Sequence, residues 1–196
     1  MYRLTPRMLQ RLKGDLTKYH DMFIGKRCSG WELEELIVAA IQSDTQAQHH
    51  VKWQEVGHDA LADIIVRTNG TQHPIQIKSG QIKTERLILS GHRLGRFNGD
   101  MQDITNYLNE PSANIIAVPY RQVNDEQGRQ HLYRVCYADK EVLTGLAPDR
   151  WEHRGAQFIQ TNPHGVEFSL RPSMSWQIWW AIPVSLIEMT DEFSIA

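Results

Sequence analysis

The chain has 196 residues, of which 41% are hydrophobic and 22% are charged, and its formal net charge is −2. This length suits a single domain over residues 1–196, and the near-neutral charge argues against a protein that binds nucleic acid through overall positive charge alone. No apolar run approaches the roughly 18 residues of a membrane span and the first residues lack the apolar stretch of a signal peptide, so we expect a cytoplasmic protein without a membrane partner.

The first part of the chain predicts two helices. Thr5 followed by Pro6 is typical of a helix start, and the apolar residues that follow recur at helical spacing. Ser29 and Glu32 match the capping-box pattern, in which a serine caps the helix and an acidic residue three positions later binds back to the cap. The second helix is therefore predicted to begin after Ser29 and to end near residues 43–44.

Alternating and β-branched residues predict strands in much of the remaining chain. Strands 62–68 and 75–78 are joined through Asn69 and Gly70, which favour a type I′ hairpin turn. Asn98 is predicted to cap a further helix. The other strands are predicted at residues 51–56, 114–120, 132–137, 157–160, 166–170 and 177–187. This order of elements predicts an α/β (α+β) fold of three layers, in which helices flank a mixed central β-sheet.

The predicted hairpin brings three polar side chains together. Pairing across a two-residue loop places Asp63 opposite Gln76, and Lys78 shares their face because side chains alternate along a strand. The apolar residues between them fall on the opposite face and give the sheet a core side. Pro74 cannot donate a hydrogen bond to a neighbouring strand, so the predicted pairing depends on the strand accommodating it.

These three side chains suit a divalent metal ion. Mg²⁺ prefers oxygen ligands, typically one or two carboxylates together with waters. Asp63 would supply a carboxylate and Gln76 a neutral oxygen. Lys78 would orient a water or stabilise charge that develops on phosphorus. Asp59 lies at the same strand parity just upstream and is the alternative to Asp63.

A second carboxylate is expected from the second helix. Glu32 is assigned to the predicted cap. Glu34 lies at the edge of the apolar face, where a side chain can reach the sheet, and is the favoured ligand. Glu35 lies one residue further round and is the alternative. A purely structural explanation also exists, because glutamates stabilise the positive N-terminal end of any helix.

The residues around the hairpin resemble a known family. The segment Asp59-Ala-Leu-Ala-Asp63-Ile-Ile-Val, followed by Pro74-Ile-Gln76-Ile-Lys78, is similar to the PD-(D/E)XK nuclease superfamily. The upstream helix with its glutamates also fits. The resemblance implies a mixed sheet flanked by helices, catalysis with Mg²⁺ (or Mn²⁺ in its place) and DNA as the substrate. The chain departs from the commoner pattern at Gln76, where most members carry Asp or Glu, although Gln-X-Lys variants occur in Mrr-type enzymes.

A run of basic residues follows the predicted site. Paired arginines with glycines between them suit contacts to phosphates or to a guanine edge. We therefore expect DNA contacts from Lys83, His92, Arg93 and Arg96. The alternative is a solvated polar loop that leads into the next helix.

The favoured function is a type II restriction endonuclease that cuts double-stranded DNA at a short specific sequence. A homodimer is expected because palindromic sites match a two-fold axis. One alternative is a DNA repair or Holliday-junction nuclease. Another is a catalytically inactive DNA-binding module on a nuclease scaffold, which the glutamine at position 76 would explain.

Overall fold

The computed structural model describes residues 1–23, 26–44, 49–53, 62–125 and 128–195. Within these residues there are three α-helices, namely α1 (Pro6–Met22), α2 (Trp31–Gln42) and α3 (Met101–Leu108). The same residues form thirteen strands, which are β1 (His49–Trp53), β2 (Ile64–Thr68), β3 (Thr71–Lys83), β4 (Arg86–Arg93), β5 (Asn114–Asp125), β6 (Gly128–Tyr133), β7 (Cys136–Ala138), β8 (Glu152–Arg154), β9 (Gln157–Thr161), β10 (Glu167–Arg171), β11 (Gln177–Pro183), β12 (Glu188–Met189) and β13 (Phe193–Ile195). Short 3-10 helices lie at Gly95–Phe97, Lys140–Leu143, Pro148–Arg150, Pro172–Met174 and Val184–Leu186.

The strands form a mixed sheet in the order β12-β7-β5-β3-β4-β11-β10-β9-β8. Four strands lie off this path: β2 pairs with β3 and with β1, and β6 pairs with β5 and with β13. Strands β3 and β5 run parallel, and the other described pairs are antiparallel. The chain is therefore a mixed α/β protein with a large mixed sheet, as the sequence predicts at this coarser level.

Two hydrophobic clusters cover the two faces of the central strands. Helices α1 and α2 pack on one face, where Ile64, Val66, Ile75 and Ile77 are buried with them. Helix α3 and the strands that follow β5 cover the other face. Since β3 and β5 are buried on both sides, their polar side chains need partners, and this requirement bears on the site described below.

The hairpin between β2 and β3 has the predicted turn and register. Asn69 and Gly70 both have positive φ, at 49° and 78°, as a type I′ turn requires. Thr68 pairs with Thr71, and pairing continues to Ile64 opposite Ile75. The ladder also passes through Pro74, so this proline does not displace the register. Strand β3 then continues well past the predicted end at residue 78.

Two predicted helix caps are wrong. Helix α2 has Gly30 at its N-cap without a side-chain hydrogen bond, so Ser29 and Glu32 form no capping box. Glu32 instead accepts a hydrogen bond from the ammonium of Lys26 at 2.8 Å. Helix α3 is capped by Asp100, whose carboxylate accepts hydrogen bonds from two backbone N–H groups. Asn98 lies in the left-handed region at the end of the preceding 3-10 helix.

The strands predicted at 157–160 and 166–170 agree with β9 and β10 to within one residue, whereas β5 continues to Asp125 and the strand predicted at 177–187 ends at Pro183. The sequence predicts no strand at β4, β8, β12 or β13, and residues 54–56 of the strand predicted at 51–56 lie outside the described residues.

The predicted strand at 132–137 is divided between β6, which ends at Tyr133, and β7, which begins at Cys136. The chain changes strand neighbours here: β6 pairs with the second half of β5, and β7 with its first half.

Among the described helices, none combines the length and apolar character needed to cross a bilayer.

A β-bulge interrupts the pairing of β4 with β11. Trp179 pairs with Ser90, but Gln177 pairs with Arg93, so β4 has one extra residue in this stretch. Such a bulge reverses which face the following side chain occupies. A Cβ atom at Gly91 would lie only 2.5 Å from Cη2 of Trp180, so the packing against this tryptophan requires a glycine.

We expect Gly91→Ala to lower the free energy of unfolding by about 1–3 kcal/mol, because the added methyl group overpacks the core. Gly14→Ala is the matched control, since a Cβ there meets nothing within 4 Å. It should raise the free energy of unfolding by about 0.5–1 kcal/mol, because alanine is the better helix former. Urea denaturation of the two variants measures both effects. Equal stability of Gly91→Ala and the wild type would contradict the close packing at the bulge.

Candidate active site

The candidate site lies where strand β3 exchanges one neighbour for another. Its pairing with β2 ends at Ile75, and its pairing with β4 begins at Gly80. On the other edge, β5 pairs with β3 over this whole interval. The two antiparallel neighbours therefore diverge at residues 76–79 and leave a fork between them.

Asp63 occupies this fork. Its backbone N–H donates to the carbonyl oxygen of Ile75 at 2.9 Å. Its carboxylate Oδ2 accepts from the backbone N–H of Ile77 at 2.6 Å and from Nζ of Lys78 at 3.3 Å. The Lys78 and Asp63 side chains are only 16% and 20% exposed. The predicted proximity of the acid and the amine is thus confirmed, and the aspartate also continues the β2–β3 ladder beyond the last strand residue.

Helix α2 brings Glu34 towards the same fork. The Glu34 side chain is half-buried, whereas Glu35 is exposed. Burial raises the pKa of Glu34, and the negative charge of Asp63 raises it further, while the positive charge of Lys78 lowers it. Glu34 therefore lies within electrostatic reach of both residues. Of the two glutamates considered as ligands, the structure places Glu34 near the fork and Glu35 in solvent.

Gln76 lies on the same face of β3 as Lys78 and is 7% exposed. Its amide Nε2 lies 2.8 Å from Nε2 of His92. This histidine comes from β4, the strand on the other side of the fork from Asp63. The Gln76 amide therefore contacts the histidine of β4, while Gln76 itself lies opposite Asp63 in the continued β2–β3 register.

The donor set suits a hard cation that retains waters. Asp63 and Glu34 offer carboxylates and Gln76 offers an amide oxygen, which are the ligand types that Mg²⁺ prefers. Within the described part of the chain, no group of three or more His, Cys, Asp or Glu side chains is arranged to hold a metal. Waters would therefore have to complete the coordination of Mg²⁺. Asp59, the alternative to Asp63, lies outside the described residues.

The four predicted DNA-contact residues have different surroundings. Lys83 is exposed at the end of β3, roughly 16 Å from Lys78 at the rise of an extended strand, and on the opposite face by strand alternation. His92 is partly buried beside Gln76. Arg93 and Arg96 are exposed just after it. The structure therefore exposes the two arginines shortly after His92 in the chain, separates Lys83 from the fork and gives His92 a partner within the protein.

The guanidinium of Arg96 lies against two aromatic residues, Phe97 and Tyr107, that could not be identified as part of the site from the sequence. The guanidinium of Arg96 lies 4.6 Å from the ring centre of Tyr107 and 4.9 Å from that of Phe97. Tyr107 also lines a small open pocket. The residues that line this pocket include Gln76, His92, Phe168 and Trp180. The sequence indicates this pocket only through the apolar spacing of helix α3, which carries Tyr107. The strands that supply other pocket residues are distant from α3 in sequence.

Comparisons with known protein families, with curated proteins and with solved structures gave no match to this chain. Its resemblance to nucleases therefore rests on its own residues. The strongest of these is the pair Asp63 and Lys78, whose contact follows from the hairpin register.

The raised pKa of Glu34 gives a pH-dependent prediction for the metal-free protein. Because the pKa of Glu34 is higher in the folded than in the unfolded protein, the folded protein holds this proton more tightly. The free energy of unfolding therefore falls as pH rises from the pKa of the unfolded state to that of the folded state. Glu34→Gln removes this ionisation. It should therefore raise stability at pH 7, and the gain should disappear below the ordinary pKa of a glutamate.

Glu35→Gln is the matched control, because Glu35 is exposed one position later on the same helix. Its effect should stay within about 0.5 kcal/mol at every pH. Urea denaturation in chelator-containing buffer between pH 4 and pH 8 (a range around the carboxyl and histidine pKa values) measures both variants. Identical profiles for the two would show that the fork does not disfavour the Glu34 carboxylate.

Proposed function

We propose that this chain is a magnesium-dependent DNA endonuclease of the PD-(D/E)XK type that acts as a type II restriction enzyme on double-stranded DNA. The observation that carries the proposal is the contact between Oδ2 of Asp63 and Nζ of Lys78 at 3.3 Å, with Gln76 on the same face of β3 as Lys78. A carboxylate, an amide oxygen and an ammonium on one face of a hairpin match the chemistry of phosphodiester hydrolysis.

Each residue at the fork has a distinct role in this proposal. The carboxylates of Asp63 and Glu34 and the amide oxygen of Gln76 hold the cation. A bound divalent cation would polarise the phosphoryl oxygen and lower the pKa of a coordinated water. The ammonium of Lys78 stabilises the negative charge that develops at the phosphate. The backbone N–H of Ile77 fixes the Asp63 carboxylate, so that its orientation does not depend on the cation.

The surroundings of the fork support a DNA substrate. Arg93 and Arg96 are exposed and can neutralise backbone phosphates. The guanidinium of Arg96 is held over Tyr107 and Phe97, which limits its freedom before DNA arrives. Lys83 is too far from the fork to share a phosphate with Lys78, and we leave it out of the proposed interface.

The layering of the protein also supports the family. Helices α1 and α2 lie on one face of the central strands, and α3 lies on the other together with the strands that follow β5. This arrangement agrees with the three-layer restriction-endonuclease-like fold that the resemblance implies. The proposed homodimer follows from the symmetry of a palindromic DNA site, and the protein is proposed to act in the cytoplasm.

One observation favours a second function, a catalytically inactive DNA-binding module. The described residues supply only two carboxylates to the fork, and the position that usually carries a third acid has Gln76. If this set binds a cation too weakly, the scaffold would retain DNA binding without hydrolysis. The experiment below separates the two functions.

Incubation with phage DNA and with Mg²⁺ or Mn²⁺ should yield discrete fragments, whose sequenced ends give the recognition site. Asp63→Ala should abolish cleavage, and Lys78→Ala should reduce its rate by about 10²–10³-fold. Lys83→Ala is the matched control and should cleave at close to the wild-type rate. All variants should retain DNA affinity, measured by fluorescence anisotropy with Ca²⁺ in place of Mg²⁺.

The contrary outcomes are distinct. Robust cleavage by Asp63→Ala would remove this residue from the site. DNA affinity without cleavage in either metal would favour the inactive module. Nicking confined to branched DNA would instead indicate a repair or junction nuclease.

The role of the second helix has its own test. Glu34→Ala should lower the cleavage rate by about 10²-fold and raise the Mg²⁺ concentration needed for half-maximal rate, because a carboxylate ligand is lost. Glu35→Ala should change neither quantity, since its side chain is exposed. Steady-state cleavage rates across a Mg²⁺ titration measure both variants. Wild-type behaviour of both would show that helix α2 contributes no ligand.

A further inference from the structure

The glutamine at position 76 creates an orientation problem that an acid would not have. A carboxylate presents two equivalent oxygens, so either can bind a cation. A glutamine amide presents one oxygen and one NH₂ group of nearly equal size, and only the oxygen can be a ligand. If the amide turns over, the NH₂ group faces the cation and the ligand is lost. A site that uses Gln76 therefore gains from a group that fixes the amide.

His92 is placed to fix it. The amide Nε2 of Gln76 lies 2.8 Å from Nε2 of His92. An amide nitrogen only donates, so His92 accepts here, and its proton is on Nδ1 in the neutral ring. Because the nitrogen and the oxygen diverge from the same amide carbon, this bond directs Oε1 of Gln76 away from His92.

The position of His92 depends on the bulge in β4. Without the extra residue between Ser90 and Arg93, alternation would place residue 92 on the same face as Ser90. The bulge places it on the other face, beside Gln76 and Trp180 in the pocket. The imidazole is also in edge contact with the ring of Tyr107, with 6.5 Å between the ring centres. The contact with Gln76 is thus supported by both the backbone and the packing.

We propose that His92 is a positioning residue that holds the amide of Gln76 with its oxygen directed to the cation shared by Asp63 and Glu34. This inference rests on the proposed metal-dependent function and replaces a direct DNA contact as the role of His92. The proposed role of His92 explains how a glutamine can act at a position where the PD-(D/E)XK family more often has Asp or Glu.

The test is a double-mutant cycle read as Mn²⁺ affinity by isothermal titration calorimetry. The four proteins are the wild type, His92→Ala, Gln76→Glu and the double variant. His92→Ala should weaken Mn²⁺ binding by about 10–100-fold in the wild-type background, as expected for loss of a group that orients a ligand. In the Gln76→Glu background, His92→Ala should weaken Mn²⁺ binding by less than about twofold, because either oxygen of a carboxylate can bind the cation.

A variant of similar shape controls for damage to the pocket. His92→Phe keeps an aromatic ring beside Tyr107 but removes the acceptor nitrogen, so it should weaken Mn²⁺ binding about as much as His92→Ala does. Urea denaturation of each variant verifies that the proteins compared are folded.

The outcomes separate this inference from the proposed function. Equal losses from His92→Ala in both backgrounds would overturn the positioning role, because packing alone would then explain the effect. No loss in the wild-type background would also overturn it, while DNA cleavage by the wild type would leave the nuclease proposal intact. A wild type that binds no Mn²⁺ would overturn both.

Discussion

The site depends on one constraint, which is the backbone of strand β3 at the point where its neighbours diverge. A buried N–H group without a partner costs about 1–3 kcal/mol, and strand pairing cannot supply the partner at Ile77, because β2 ends and β4 has not begun. The carboxylate of Asp63 supplies it at 2.6 Å. Fold stability and site geometry therefore require the same side chain, which places an anion beside Lys78 whether or not a ligand is present.

The part of the site that could be predicted from sequence is the part governed by local rules. The Asn-Gly turn determines the hairpin register, and the register determines the relation of Asp63 to Lys78. The choice of Glu34 over Glu35 follows from helical periodicity in the same way. The capping errors at Ser29 and Asn98 have a different cause. Several residues near each helix start can act as caps, and the path of the incoming chain selects among them.

The partner of Gln76 could not be predicted, because it depends on contacts between residues distant in sequence. Nothing in the segment around Gly91 indicates an extra residue in the ladder, since the bulge exists only relative to β11. The sequence also predicts no strand at Arg86–Arg93, and the basic character of this segment leads to the prediction that His92 contacts DNA. The missing strand and its bulge together therefore explain why the contact between His92 and Gln76 could not be predicted.

The parallel pairing of β3 with β5 has a consequence for how the site assembles. The hairpin of β2 and β3 closes over a few residues, and hairpins form within about 1–10 µs. Strand β5 follows β3 only after β4 and α3, and β11, which defines the bulge, comes much later in the chain. Pairings between distant segments slow folding, because the entropy of loop closure is lost before their contacts form. We therefore expect the acid and the amine to meet early in folding, while the histidine reaches the glutamine only when the sheet is complete.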